Sequence, residues 1–275
     1  MSFRRILVAL DASQHSLAAL EAASEMAVRM KAELLGVFVE DVNLLRLAGL
    51  PFAREVGFPS AISRELDIVA MDRALKVVAA EARRAIMIVA ERARVRWSFR
   101  IARGSVVNEL LSAALEADLL VLGKVSRGFR PAEHLGSTAL SMIARAPRPV
   151  LILEPGISVR APALVVFEGS EAAREALSFA ADLSGRFGDG LVVLIAASTS
   201  ESLRQLQEKA NEVLTDRDVD ARYRSMASVN VRALIDVAKL EKAGMLVLPR
   251  SSRLIEHEDF QRLVAGTRCP VFVVR

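Results

Sequence analysis

The amino-acid sequence passes twice through the same alternation of short apolar segments and amphipathic helical segments, and this internal repeat limits the possible folds most strongly. In the first pass, residues 5–10 form an aliphatic segment, and apolar side chains in residues 16–30 recur at helical spacing. In the second pass, residues 164–170 and 171–187 repeat that order. Strands that alternate with helices are typical of parallel sheets, so the sequence predicts an α/β fold that occurs twice.

The length of the chain fits two copies, because 275 residues suffice for two domains of ordinary size. We predict domains over residues 1–156 and 157–275. Each domain is expected to hold a doubly wound parallel sheet of five strands in the order 3-2-1-4-5, with helices on both faces. The predicted strands lie near Ile6, Leu35, Val95, Leu120 and Val150 in the first domain and near Val165, Val192, Ala221, Leu246 and Val271 in the second.

A long insertion distinguishes the first copy from the second. Residues 62–94 carry apolar side chains every three or four positions and predict one long helix. The preceding segment, residues 41–60, is rich in Leu, Phe, Pro and Gly; it predicts either a lid over a pocket or a hydrophobic loop packed on the next helix. In the second copy, Gly266 and Thr267 are predicted to cap the end of the last helix.

Composition excludes several classes of function. The formal charge of +4 comes from scattered basic residues, and one Trp and one Tyr offer little base stacking, so nucleic acid is not the predicted partner. The single cysteine, Cys269, excludes an internal disulfide, and three histidines far apart in sequence argue against a zinc site. Neither a signal peptide nor a membrane span is predicted, because the apolar runs are short. We expect a cytoplasmic protein.

Residues 118–153 carry the features of a phosphate site. The apolar run at residues 119–122 predicts a buried strand that stops at Gly123, a basic loop follows, and a helix opens at Gly136. Free backbone N–H groups and the positive end of a helix dipole at that position suit an anion. The loop and the helix start also supply the side chains of Lys124, Arg127, Arg130, Ser137 and Thr138.

At these residues the chain resembles the universal stress protein family, whose nucleotide-binding members carry Gly-x2-Gly-x9-Gly-Ser/Thr between the fourth strand and the last helix. Gly123 and Gly136-Ser137 match the outer parts of this motif, Ser126 stands at its middle glycine, and Gly128 follows two residues later. The resemblance implies an adenine nucleotide, ATP or alternatively AMP or ADP, with or without Mg. The implied contact residues are Asp11, Ala12, Ser13, Val39, Gly123, Lys124, Ser126, Arg127, Gly136, Ser137 and Thr138.

Two of these residues have alternatives. Asp11 follows the first strand, where ligands enter open α/β sheets, and the resemblance gives it the ribose or adenine side of the nucleotide. A helix cap is the equally simple interpretation of Asp11. Ser126 predicts weaker binding than a complete glycine motif, because a serine at a positive φ costs about 1 to 2 kcal/mol.

The second copy lacks the phosphate features. Pro249 replaces the strand-ending glycine, and no Gly-Ser pair opens the next helix. Glu256, Glu258 and Asp259 bring negative charge to the corresponding region. We therefore predict at most one nucleotide per chain, bound in the first domain. The second domain is expected to be a structural partner, and the strands at residues 149–153 and 270–274 are expected to join the two as an intramolecular pseudo-dimer.

Three functions follow. The favoured one is a regulatory universal stress protein that binds an adenine nucleotide and has no predicted catalytic residues, with weak ATPase activity left open. The second is a scaffold of the same fold that binds no nucleotide and acts through homodimerisation and protein contacts. The third is an adenylating or nucleotide-cleaving enzyme, which lacks an evident metal-binding carboxylate pair. Glu133 and His134 could act as a general base, although solvated loop residues of this kind are common.

Overall fold

The computed structural model describes residues 3–50, 52–56, 63–65, 67–125, 135–188 and 190–275. Strands and helices alternate along the chain. The first half of the chain consists of β1 Arg5–Ala9, α1 Gln14–Met30, β2 Glu33–Asp41, α2 Val42–Ala48, β3 Arg54–Val56, β4 Ser63–Glu65, α3 Ile68–Ala93, β5 Trp97–Gly104, α4 Val106–Ala114, β6 Leu119–Gly123, α5 Ser137–Arg145 and β7 Val150–Leu153. The second half consists of β8 Ala163–Phe167, α6 Glu171–Phe187, β9 Leu191–Ala196, α7 Ser200–Leu214, β10 Ala221–Met226, α8 Val231–Leu240, β11 Met245–Pro249, a short 3-10 helix Arg253–Ile255, α9 His257–Thr267 and β12 Val271–Val274.

Ten of the strands form one continuous sheet, in the order β5-β2-β1-β6-β7-β12-β11-β8-β9-β10. Each half contributes five parallel strands in the predicted order 3-2-1-4-5. The halves meet where β7 pairs antiparallel with β12, with Val271 opposite Ile152. The α/β fold and the predicted contact between these two strands are confirmed. The remaining strands, β3 and β4, form a separate antiparallel hairpin.

Both faces of the sheet are covered by helices, as doubly wound topology requires. One apolar cluster lies under α1, α3, α6 and α7, and a second lies under α4, α5, α8 and α9. Each cluster contains buried residues from both halves, so the core does not stop at the β7–β12 junction. The ring of Phe179, in the second half, contacts Phe3 of the first half at 5.8 Å and Phe272 of its own half at 5.5 Å between centroids.

Two predicted boundaries and one predicted helix cap were wrong. The long helix begins at Ile68 because the Asp67 carboxylate accepts hydrogen bonds from Val69 N and Ala70 N, both at 3.1 Å. The third long strand, β5, lies two residues later than predicted and runs to Gly104. The cap of the last helix is Arg268, with φ of 50°, whereas Gly266 lies inside α9 in close contact with Ile235 of α8.

Candidate functional site

A cleft of about 410 Å³ opens at the carboxyl ends of β1, β2 and β6. In a sheet of this order the crossovers on the two sides of β1 and β6 run in opposite directions, so the ends of these strands are left uncovered. Helices α3, α4 and α5 form the other walls. The volume of the cleft lies within the usual range for a small-molecule site, about 300 to 1,000 Å³.

One wall of the cleft is apolar. Val39 at the end of β2, Leu75 and Val78 of α3, and Val106 and Leu110 of α4 line it. Leu44 of α2 lies at the same wall, so part of the predicted lid segment is a short helix that borders the cleft. This wall suits a flat apolar ring such as a nucleobase. Of the same segment, residues 51 and 57–60 lie outside the described residues.

The opposite wall is polar and includes the start of α5. Gly136 is the N-cap residue, and among the described residues no side-chain hydrogen bond caps this helix end, where the first N–H groups of a helix have no partner within the helix. Ser137 and Thr138 line the cleft beside it. The N–H of Gly136 itself donates to the carbonyl oxygen of Lys124 at 2.9 Å, which ties together the two ends of the loop between β6 and α5.

Asp11 lines the cleft at the end of β1. Its Oδ1 accepts a hydrogen bond from the N–H of Ser13 at 3.0 Å. The N-cap of α1 is Ser13, whose Oγ accepts from the N–H of Ser16 at 3.1 Å, so Asp11 supports the turn without being the cap. Ala12, with φ of 56°, and Ser13 form that turn and lie outside the lining of the cleft.

Gly123 lines the cleft and also lets α1 approach β6 closely. A Cβ atom at this position would lie 2.6 Å from the carbonyl carbon of His15 and 2.7 Å from its Cβ. Such distances exclude any side chain unless α1 moves. The sequence predicted a role for this glycine from a phosphate-binding motif. The structure adds a packing role, which the motif does not predict.

Lys124 is paired inside the protein. Only 3% of its side chain is exposed, and Nζ lies 2.6 Å from Glu154 Oε1, whose side chain is 32% exposed. The ammonium group expected to meet a ligand phosphate therefore already has an anionic partner. Two other predicted contact residues, Ser126 and Arg127, lie outside the described residues, as do Arg130, Glu133 and His134.

His15 joins this group of charges. Burial lowers its pKa from the usual 6.5, while Glu154 and Asp11 act to raise the pKa and Lys124 acts to lower it. Its Nδ1 is buried without a hydrogen-bond partner among the described residues. Sequence reasoning missed both His15 and Glu154. Glu154 follows β7 directly, and β7 pairs with β6, so the strand order could have placed it beside Lys124.

The corresponding positions of the second half are used for structure. Arg250 follows β11 as Lys124 follows β6, and its N–H donates to Val274 O at 2.6 Å where that of Lys124 donates to Leu153 O at 3.0 Å. The Arg250 guanidinium donates to Ala146 O in the first half, at 2.6 Å. Glu168 Oε1 accepts a hydrogen bond from the hydroxyl of Ser170, the N-cap of α6.

Within the described part of the chain, no group of three or more His, Cys, Asp or Glu side chains could hold a metal ion. Over the same residues, no helix is long and apolar enough to cross a membrane.

Comparison with known proteins agrees with the fold. The sequence profile of the universal stress protein family matches residues 2–154. The chain belongs to the universal stress protein family. A universal stress protein of Methanocaldococcus jannaschii is 30% identical over 154 residues, which cover 55% of this chain and 82% of that protein.

Two solved structures resemble this universal stress protein over nearly its whole length. A universal stress protein from Archaeoglobus fulgidus has a TM-score of 0.73 at 18% identity, and the match covers 98% of this chain and 96% of the other. A candidate universal stress protein from Pseudomonas aeruginosa has a TM-score of 0.60 at 16% identity, covering 99% and 93%. At these identities the likeness concerns the fold.

Proposed function

We propose that this universal stress protein binds an adenine nucleotide, ATP or a related compound, in the cleft of its first half and acts as a regulator. One observation carries the proposal: Asp11, Val39, Gly123 and Gly136, which are far apart in sequence, line a single cleft. The apolar wall is suited to adenine, the Asp11 carboxylate to ribose hydroxyls, and the N-terminus of α5 to phosphate. The proposal includes a cytoplasmic location, which a single buried cysteine suits.

Isothermal titration calorimetry with ATP tests this proposal. We expect one site per chain in the wild type and loss of binding in Gly136→Val, because a valine side chain would project into the cleft at the helix start. Asp11→Asn should weaken binding by about tenfold or more, since it removes a charged hydrogen-bond acceptor. Glu168→Gln, which changes an acid at the end of β8 in the second half, is the matched control and should bind as the wild type does.

Ser126→Gly completes the glycine motif and is expected to tighten ATP binding.

Mass spectrometry of any small molecule released by denaturation would identify a ligand that copurifies with the protein. Two equal sites per chain, or a Gly136→Val variant that binds normally, would show that the cleft is misassigned.

A scaffold that acts through homodimerisation and protein contacts is the second candidate. The observation that favours it is the internal pairing of two expected phosphate donors: Lys124 Nζ with Glu154, and Gly136 N–H with Lys124 O. Light scattering on a sizing column, with and without ATP, separates the two functions. A dimer that forms without nucleotide, from a protein that shows no heat of ATP binding, would favour the scaffold.

A further inference from the structure

We propose that Glu154 lowers the affinity of the cleft for phosphate-bearing adenine compounds relative to adenosine, by holding Lys124 until an anionic group of the ligand takes its place. This inference rests on the proposed function and names the ligand class that the same site selects. Ligands with a phosphate can replace Glu154 at Lys124, whereas adenosine cannot. Glu154 is thus a specificity-determining residue that competes with the phosphate.

The two partners differ in burial, and this difference sets which one can leave. The Lys124 side chain is 3% exposed and that of Glu154 is 32% exposed. A buried ammonium group requires an anionic or hydrogen-bonding partner, since an unpaired buried charge is costly. A carboxylate that is one-third exposed can instead be solvated by water. An arriving phosphate can therefore release Glu154 to solvent while Lys124 remains paired.

The sheet places Lys124 between Glu154 and the cleft. Gly123 and Leu153 are paired in neighbouring parallel strands, so the residues that follow them, Lys124 and Glu154, leave the same edge of the sheet side by side. Lys124 also lines the cleft, whereas Glu154 lies outside its lining. A lysine side chain has four rotatable carbon–carbon bonds, which allow its ammonium group to turn from one partner to the other.

The charge of the cleft makes this exchange necessary for phosphate binding. Among the described residues that line it, Asp11 and Asp41 are acidic and Lys124 is the one lysine or arginine. While Glu154 neutralises Lys124, the two aspartates leave this wall negative. Once Lys124 is released it offers a charge-assisted hydrogen bond to an anion at the polar end of the cleft.

A purely structural role, in which the ion pair only ties β6 to β7, predicts a different result. Loss of the tie would then leave ligand preference unchanged or weaken all ligands alike. Competition predicts that removal of the Glu154 charge favours phosphate-bearing ligands and leaves adenosine unaffected. The ratio of ATP affinity to adenosine affinity therefore separates the two roles.

The experiment measures ATP and adenosine affinities by calorimetry on the full chain. Glu154→Gln should tighten ATP binding by about tenfold, the scale of one charge-assisted hydrogen bond, with adenosine unchanged within about twofold. Lys124→Met should weaken ATP binding and leave adenosine unchanged. Glu168→Gln and Lys239→Met, at exposed positions of the second half, are the controls of equal charge change and should match the wild type.

The double variant Lys124→Met with Glu154→Gln keeps the test valid if Glu154→Gln fails to fold, because it contains no unpaired buried charge. It should lose the preference for ATP over adenosine that the wild type shows. The role of Glu154 is overturned if the wild type binds both ligands and the ratio of ATP affinity to adenosine affinity is the same in Glu154→Gln, or in the double variant, as in the wild type. That outcome leaves the proposed function intact. If neither ATP nor adenosine binds to the wild type or to any variant, the role of Glu154 and the proposed function are both overturned.

Discussion

At the scale of single residues, Gly123 both lines the cleft and allows α1 to pack closely on β6. Because Gly123 has no side chain, the His15 backbone can approach closely, and an added Cβ would lie 2.6 Å from the carbonyl carbon of His15. We expect Gly123→Ala to lower the free energy of unfolding by about 1 to 3 kcal/mol, the usual cost of overpacking. Gly49→Ala is the matched control, because its nearest neighbour would be 3.4 Å away and its φ is −81°. Urea denaturation of both variants measures the difference, and an unchanged Gly123→Ala midpoint would contradict the packing role.

His15 provides a second prediction at this scale. Burial lowers its pKa in the folded protein, so the unfolded chain binds more protons near and below pH 6.5 than the folded one. Stability linked to His15 is therefore present above that pH and is lost as the pH falls. We expect the loss of unfolding free energy between pH 7.5 and 5.5 to be smaller in His15→Gln than in the wild type. Equal losses in urea titrations at the two pH values would show that His15 is not the responsible group.

The sequence predicted the glycines and the acid of the cleft because strand ends and glycine spacing are local signals. Asp11, Val39, Gly123 and Gly136 all line the cleft. The pairing of Lys124 with Glu154 was missed because it joins two strand ends 30 positions apart. Such a contact has to be derived from the predicted strand order, which makes β6 and β7 neighbours, because no local pattern contains it.

At the scale of elements, the order and approximate positions of the strands were predicted well, whereas the start of the long helix α3 was not. Apolar strands in a doubly covered sheet are continuous hydrophobic runs, which the sequence displays directly. The start of α3 depends instead on one capping side chain, Asp67. The helical spacing of apolar residues extends to positions before Asp67, so the helix was predicted to begin too early. The end of α9 was predicted at its position, but the predicted cap was wrong, because Gly266 lies inside the helix against Ile235 and Arg268 is the cap.

The α3 cap gives the prediction at this scale. Asp67→Ala removes the acceptor for two N–H groups and should lower the free energy of unfolding by about 1 kcal/mol. Ser105→Ala is the matched control, because Ser105 occupies the N-cap of α4 without making a side-chain hydrogen bond to it. That change should cost less than about 0.5 kcal/mol. Chemical denaturation of the two variants compares them, and equal effects would mean that the Asp67 bonds contribute nothing.

At the scale of the whole molecule, the two halves share one sheet and one pair of cores. We propose that the halves correspond to domains 1–156 and 157–275, which are joined within a single chain. β7 and β12 pair across it, and Phe179 packs against rings from both sides. The repeat in the sequence predicted this contact because a duplicated fold duplicates the same edge strand.

This union predicts cooperative unfolding, whereas two-domain proteins often unfold in separate steps. The chain supplies one reporter for each end of the sheet: its single Trp, Trp97, lies in edge strand β5, and its single Tyr, Tyr223, lies in edge strand β10. We expect the fluorescence of Trp97 and the absorbance of Tyr223 to change at the same urea concentration. The reason is that separating the halves would expose both apolar clusters to water.

Phe179→Ala tests whether the junction is the source of this cooperativity. Phe179 is fully buried, so its truncation should cost about 3 to 5 kcal/mol, and both reporters should shift together because the residue serves both halves. Phe260→Ala, equally buried but within the α9 side of the second half, is the control for cavity size. Two separate midpoints in the wild type, or a Phe179→Ala variant in which Tyr223 alone shifts, would mean that the halves unfold independently despite their common sheet.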